Sequence, residues 1–206
     1  MLACLIGIPL GIIAAVRRGG FIDLGLTLLS SLGNSVPVYV MGYILVLFFS
    51  LSLGLLPSSG FTPVARGLGN HIQKLILPSV ALALGVGASI LRMTRSSMLE
   101  SLGSESVRPL RAKGLSRTKV YMKHVMRNML IPVVTIIGLQ LGNLITGTVL
   151  CEAVFNWPGI ATLLVTAISN RDYPLIQGCM LILSGIFILI NMIVDLIYGL
   201  LDPRAR

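Results

Sequence analysis

The stretch PLIQGCMLILSGIFILINMIVDLIYGLL, residues 174–201, contains a single charged side chain, Asp195. A helix needs about 20 mostly apolar residues to cross about 30 Å of hydrocarbon, so this segment can span a bilayer. Four more apolar stretches precede it: Leu2 to Val16, Leu26 to Leu56, Leu75 to Met93 and Met129 to Leu150. Composition agrees. Of the 206 residues 55% are hydrophobic and only 11% charged, with a mean hydropathy of +0.92, whereas soluble domains carry roughly 25% charged residues. Lipid satisfies no peptide group, so spans of this kind must be helices. The sequence therefore predicts an all-α fold, a polytopic transmembrane bundle of about five spans forming one domain over residues 1–206. The first stretch is short. It is not followed by a small-residue cleavage site but by Arg17-Arg-Gly-Gly20, which argues against a signal peptide and for a span whose beginning is missing.

Charge placement orients the bundle. With Arg17 and Arg18 inside, alternation also puts inside Arg92, Arg95, Arg108, Arg111, Lys113, Arg117, Lys119, Lys123, Arg127, Arg204 and Arg206, leaving only Arg66, Lys74 and Arg171 outside. This satisfies the positive-inside rule in one orientation only. It predicts a multi-pass plasma (inner) membrane protein with a cytoplasmic C-terminus. It also puts Met1 outside, which predicts a further helix upstream. The net charge of +9 is explained by orientation, and no nucleic-acid partner is implied, because phosphate binding needs a solvated basic module.

Within the spans, Pro37 follows Asn34 and Ser35 and predicts a kinked or unwound turn. Gly7 with Gly11, and Gly138 with Gly142, have the spacing that lets helices approach closely. Intramembrane polar groups are costly and usually face a bundle interior or a pathway. Asn34, Ser35, Gln140, Asn143, Thr146, Asn191 and Asp195 are thus candidates for a translocation path, with interhelical contact as the alternative.

The interior linker, residues 100–128, is basic and patterned. Ser116 can cap a helix on which Val120, Met122, Val125, Met126 and Met129 sit near a helical period, with Lys119, Lys123 and Arg127 four residues apart on another face. Pro109 can start a preceding helix and Gly114 can end it. Such an element suits docking on a soluble partner or lying on lipid headgroups. On the other side of the membrane, residues 152–174 form an external loop in which Trp157-Pro-Gly159 makes a turn before an apolar run, Ile160 to Ile168. Glu152, Trp157, Pro158 and Gly159 are candidates for an external gate or a partner contact, and interface anchoring is the alternative.

No chemistry is legible. No GxxxxGK[ST] loop, HExxH or catalytic triad spacing occurs, so no catalytic residue or cofactor is predicted. The three cysteines, Cys4, Cys151 and Cys179, lack metal or disulfide spacing. His71 and His124 fall on opposite sides of the predicted membrane, so no metal site is expected.

Arg111-Ala-Lys-Gly-Leu115 followed by Arg127-Asn-Met-Leu-Ile-Pro132 resembles the cytoplasmic signature of permeases in binding-protein-dependent ABC importers, most closely the dipeptide, oligopeptide and nickel branch. Glu152-Ala-Val-Phe-Asn-Trp-Pro-Gly159, Asn170-Arg-Asp-Tyr-Pro174, Asn191-Met-Ile-Val-Asp195 and Leu201-Asp-Pro-Arg204 extend the resemblance over the whole chain in order. Pro109-Leu110 stands where that family usually has Thr-Ala, and the family usually has a further N-terminal helix. The resemblance implies a permease subunit for peptides, nickel or a related small solute. It further implies separate ABC ATPase subunits, a second and different permease, an extracytoplasmic solute-binding protein and surrounding membrane lipid as partners. A coupling helix from about 102 to 114 would dock the ATPase through Arg108, Arg111, Ala112, Lys113, Gly114 and Leu115. The competing classes are a stand-alone secondary transporter, which tends to show inverted repeats, and a membrane enzyme.

Overall fold

The computed structural model describes residues 1–103 and 125–201, and among them every regular element is helical. Helix α1 is Leu2–Val16, α2 is Phe21–Ser35 and α3 is Val38–Leu45, continued by a π-helical segment, Val46–Ser52. A 3₁₀ turn at Val64–Arg66 precedes α4, Leu68–Gly103. Then come α5, Met126–Phe155, α6, Ile160–Ser169, and α7, Tyr173–Leu201. Among the described residues α4 and α7 are each long and apolar enough to cross a membrane. Two bent pairs bring the number to four, namely α2 with α3 and its extension, and the two arms of α5. The 15-residue α1 is the short member of the predicted five. The break after Ser35 falls where the sequence predicts it, because Pro37 disfavours helical geometry at the residue before it.

The helices overrun the apolar runs. Helix α2 begins at Phe21 rather than Leu26, and α4 ends at Gly103 rather than Met93, so Arg92 and Arg95 lie on a helix. Glu100–Gly103 and Met126–Asn128 of the predicted basic loop are also helical. A backbone hydrogen-bond ladder does not stop where hydrocarbon stops; only the side chains report that boundary.

The chain forms two compact units. The first comprises Met1–Asn34, Val86–Gln140 and Asn191–Arg206. In it α1 buries a face of small residues, Ala3, Gly7, Gly11, Ala14 and Ala15, against α4. Gly87 meets Ala3, Gly7 meets Gly87 and Ile90, and Gly11 meets Leu91 and Thr94. The partners advance together along both helices, so α1 and α4 run parallel. That is the direction alternation requires of the first and third spans, and it places Arg17 and Arg95 at the same end of the unit. A Cβ on Gly11 would lie 2.6 Å from Thr94 Cβ and 2.7 Å from the Leu91 carbonyl oxygen, neither of which is a flexible tip. Further along the same direction, Ala15, Met98, Val125 and Met129 form a buried cluster with Ile12, Leu99, Leu102 and Leu130 around them.

The second unit comprises Ser35–Gly85 and Leu141–Ile190. Its core is Leu45, Leu77, Ala81, Cys151 and Phe155, with Val38, Met41 and Val154 packed on it. Gly42 gives α3 room beside Val154 and Phe155, and Gly142 faces the Phe187 ring.

Replacing Gly11 by alanine forces the α1 and α4 backbones apart, at a cost of roughly 1–3 kcal/mol typical of overpacking. A thermal melt of the detergent-solubilised protein should show a lower Tm for Gly11→Ala and no loss for Gly25→Ala, whose added methyl meets nothing within 4 Å among the described residues.

Candidate functional site

Two regions among the described residues hold candidate functional side chains, one in each unit. In the second unit, α5 ends at Phe155 and the chain reverses through Asn156–Gly159 into α6. Asn156 has a left-handed backbone, φ +48°, and the Trp157 amide donates to the Glu152 carbonyl at 2.9 Å. Gly159 is the N-cap of α6 and has no side chain with which to cap it. Glu152 supplies the missing oxygen. Its Oε2 accepts hydrogen bonds from the Thr162 amide at 2.7 Å and the Thr162 hydroxyl at 2.7 Å. A carboxylate over the positive end of a helix is favourable by about 0.3–1 kcal/mol, in addition to the cap itself. Any Cβ on Gly159 would overlap the Glu152 carboxyl group, so the glycine makes room for the cap. Glu152, Trp157, Pro158 and Gly159, singled out in the sequence together, are thus one connected turn.

Two loops join it. The Gly60 amide donates to the Phe155 carbonyl at 2.8 Å. Phe61, His71 and Trp157 stack edge to face, with centroids 5.0 Å apart for Phe61–Trp157, 5.7 Å for Phe61–His71 and 5.8 Å for His71–Trp157. His71 Nδ1 lies 2.7 Å from the Thr62 carbonyl oxygen, which only accepts, so Nδ1 carries the proton. Beneath the tryptophan, a cavity of about 200 Å³ is lined by Leu75, Pro78, Ser79, Leu82, Thr148, Cys151, Glu152 and Trp157. Phe61 and His71 carry no sequence pattern linking them to Trp157; the aromatic content of the Phe61–His71 segment was the available hint.

In the first unit, a part-buried ion pair lies where α2 begins, with Asp23 buried and Arg95 half-buried. Asp23 is 4% exposed. Its Oδ1 accepts from Arg95 Nε at 2.5 Å and its Oδ2 from Arg95 Nη2 at 2.8 Å. Oδ2 also accepts from the Gly19 amide at 3.0 Å. Gly19 holds a left-handed φ of +78°, a conformation glycine adopts without penalty. Asp23 is the only acid before Glu100, and that isolation was the signal for it.

The predicted pathway residues are dispersed along several helices. Asn34 is exposed and its Oδ1 accepts from the Ser89 hydroxyl at 2.9 Å. Ser35, Asn143 and Asp195 are exposed, and Gln140 and Asn191 are half-buried. The side chain of Thr146 and the whole coupling set, Arg108, Arg111, Ala112, Lys113, Gly114 and Leu115, lie outside the described residues, as does His124. Among the described residues no three His, Cys, Asp or Glu side chains cluster as metal ligands would.

The family profile described as the binding-protein-dependent transport system inner membrane component matches residues 7–206. The chain belongs to that family. Among curated relatives of this inner membrane component family, a probable peptide ABC transporter permease protein of Sinorhizobium fredii is 45% identical over all of this chain and 66% of its own length. The di/tripeptide transport system permease protein DppB of Pseudomonas aeruginosa is 42% identical over 97% of this chain and 66% of its own. The dipeptide transport system permease protein DppB of Escherichia coli is 40% identical over 99% of this chain and 67% of its own. The chain thus spans about two thirds of the length of the relatives it matches. Its fold is that of a chain in the inward-facing MetNI methionine ABC transporter, with a TM-score of 0.73 at 19% identity over 98% of this chain and 88% of that one.

Loss of a helix cap costs about 1 kcal/mol, close to fivefold in a local opening equilibrium. Hydrogen exchange at the start of α6 should therefore quicken about fivefold in Glu152→Ala, and similarly in Gly159→Ala, which displaces the carboxylate. Glu152→Gln, which keeps an acceptor oxygen, should fall between these and the wild type.

Proposed function

We propose that this chain is the membrane-spanning permease subunit of an ATP-binding-cassette importer and that its cargo is short peptides. The observation that carries the reading is 40–45% identity over nearly the whole chain to permeases named for peptide or dipeptide transport. The family description, an inner membrane component, supports a plasma (inner) membrane location, and the charge distribution supports a cytoplasmic C-terminus. The chain is no enzyme in this reading. ATP hydrolysis belongs to separate ATPase subunits, cargo is delivered by an extracytoplasmic binding protein, and a second, different permease completes the path.

In this mechanism the stretch around Gly114 docks on the ATPase. Ala112 and Gly114 allow close approach, and Arg108, Arg111 and Lys113 pair with acidic groups or hold the stretch on the cytoplasmic side. ATP-driven closure of the two ATPases moves it, and the helices exchange between two arrangements whose populations nucleotide biases. At the opposite face, the Glu152–Gly159 turn and its aromatic neighbours serve as the outer gate or the binding-protein contact. Asn34, Ser35, Gln140, Asn143, Thr146, Asn191 and Asp195 contribute polar groups to the path.

Inverted membrane vesicles are unsuited to an importer, so the test uses proteoliposomes with ATP enclosed and the binding protein outside. They should take up a radiolabelled dipeptide only with ATP present. Gly114→Asp should abolish uptake while leaving membrane insertion intact. Full uptake by that variant, with the ATPase still bound, would end the coupling assignment.

A further inference from the structure

Residues 104–124 lie in sequence between two described arms, the end of α4 and the start of α5. Both arms enter one buried cluster. Met98, Leu99 and Leu102 of α4 meet Val125, Met126, Met129 and Leu130 there, together with Ala15 of α1. One turn earlier on α4, Arg95 grips Asp23 by two hydrogen bonds. Asp23 in turn is fixed by the Gly19 amide of the α1–α2 turn. Helix α4 is therefore pinned along this end by backbone approach at Gly11, by the ion pair, and by the methionine cluster. These attachments differ in kind. Apolar contacts tolerate sliding, because a displaced methionine finds new neighbours. A bidentate pair does not, because a small shift strips a buried carboxylate of its donors.

We infer that the Asp23–Arg95 pair is a positioning clamp that locks the helix leading into the coupling stretch to α1 and α2, so that displacement of the stretch moves these helices together. The inference rests on the proposed function, and adds to it the residues that make the coupling stiff. Breaking the clamp lets α4 yield locally, so ATP is spent with less peptide moved.

The test measures ATP hydrolysed per radiolabelled glycyl-leucine taken up by the complete reconstituted transporter, normalised to assembled complex. Asp23→Asn and Arg95→Met should lower uptake on the order of tenfold, a typical size for a lost coupling between sites, while hydrolysis by the partner subunits continues. The exchanged pair, Asp23→Arg with Arg95→Asp, should recover part of the uptake. Gly19→Ala keeps both charges and strains only the turn beneath Asp23, so it should raise the same ratio more mildly even if the charge variants assemble poorly. Uptake and hydrolysis falling in equal proportion, or a ratio unchanged in all variants, overturns the clamp while leaving the transport reading intact. A wild-type complex with no ATP-dependent uptake of the dipeptide overturns the transport reading and the clamp with it.

Discussion

Hydrocarbon offers the peptide backbone neither donor nor acceptor, and this governs where each part of the chain can go. Backbone groups are satisfied inside helices, so the apolar segments become helices without regard to intrinsic propensity. Prolines at positions 9, 78 and 132 sit inside α1, α4 and α5, which a soluble helix would tolerate poorly. Side chains obey the same constraint. With lipid as apolar as leucine, helices gain little by burying apolar surface against each other and associate instead by close approach and polar pairing. Both are found together in the first unit: Gly7 and Gly11 bring α1 onto α4, and Asp23 meets Arg95 beyond them.

Most of the fold was legible because that constraint acts directly on composition. The apolar runs, the break before Pro37, the helical run after Gly159 and the close approach at Gly7 and Gly11 all stand in the structure. Direction was legible too. Charge alternation requires the first and third spans to run the same way, and the advancing contacts from Ala3–Gly87 to Gly11–Thr94 are parallel. Helix ends were not legible. Hydropathy marks the edge of the hydrocarbon, while the ladder continues into polar sequence, as at Arg92 to Gly103.

The candidate site was legible in part. The turn Glu152–Gly159 was visible as a block, but the role of Glu152 was not. Its cap on Thr162 depends on a chain reversal that brings residues ten positions apart into contact. Phe61 and His71 reach Trp157 only through the fold. Arg95 read as an orienting base among many, since nothing local identifies its partner 72 positions earlier. An isolated acid at position 23 in a basic chain was the one clue, because a buried carboxylate is costly unless it is paired or hydrogen-bonded.

The stretch centred on Gly114, which we propose is cytoplasmic, joins two arms that converge on one cluster beside the Asp23–Arg95 pair. Site-directed cross-linking from Gly114→Cys, with Cys4, Cys151 and Cys179 replaced by serine and the full transporter in native membranes, tests its placement most directly. The account predicts a covalent adduct with an ATPase subunit and no reaction with an impermeant thiol reagent applied outside intact cells. Labelling from outside, or no adduct with any nucleotide-hydrolysing subunit, would contradict it.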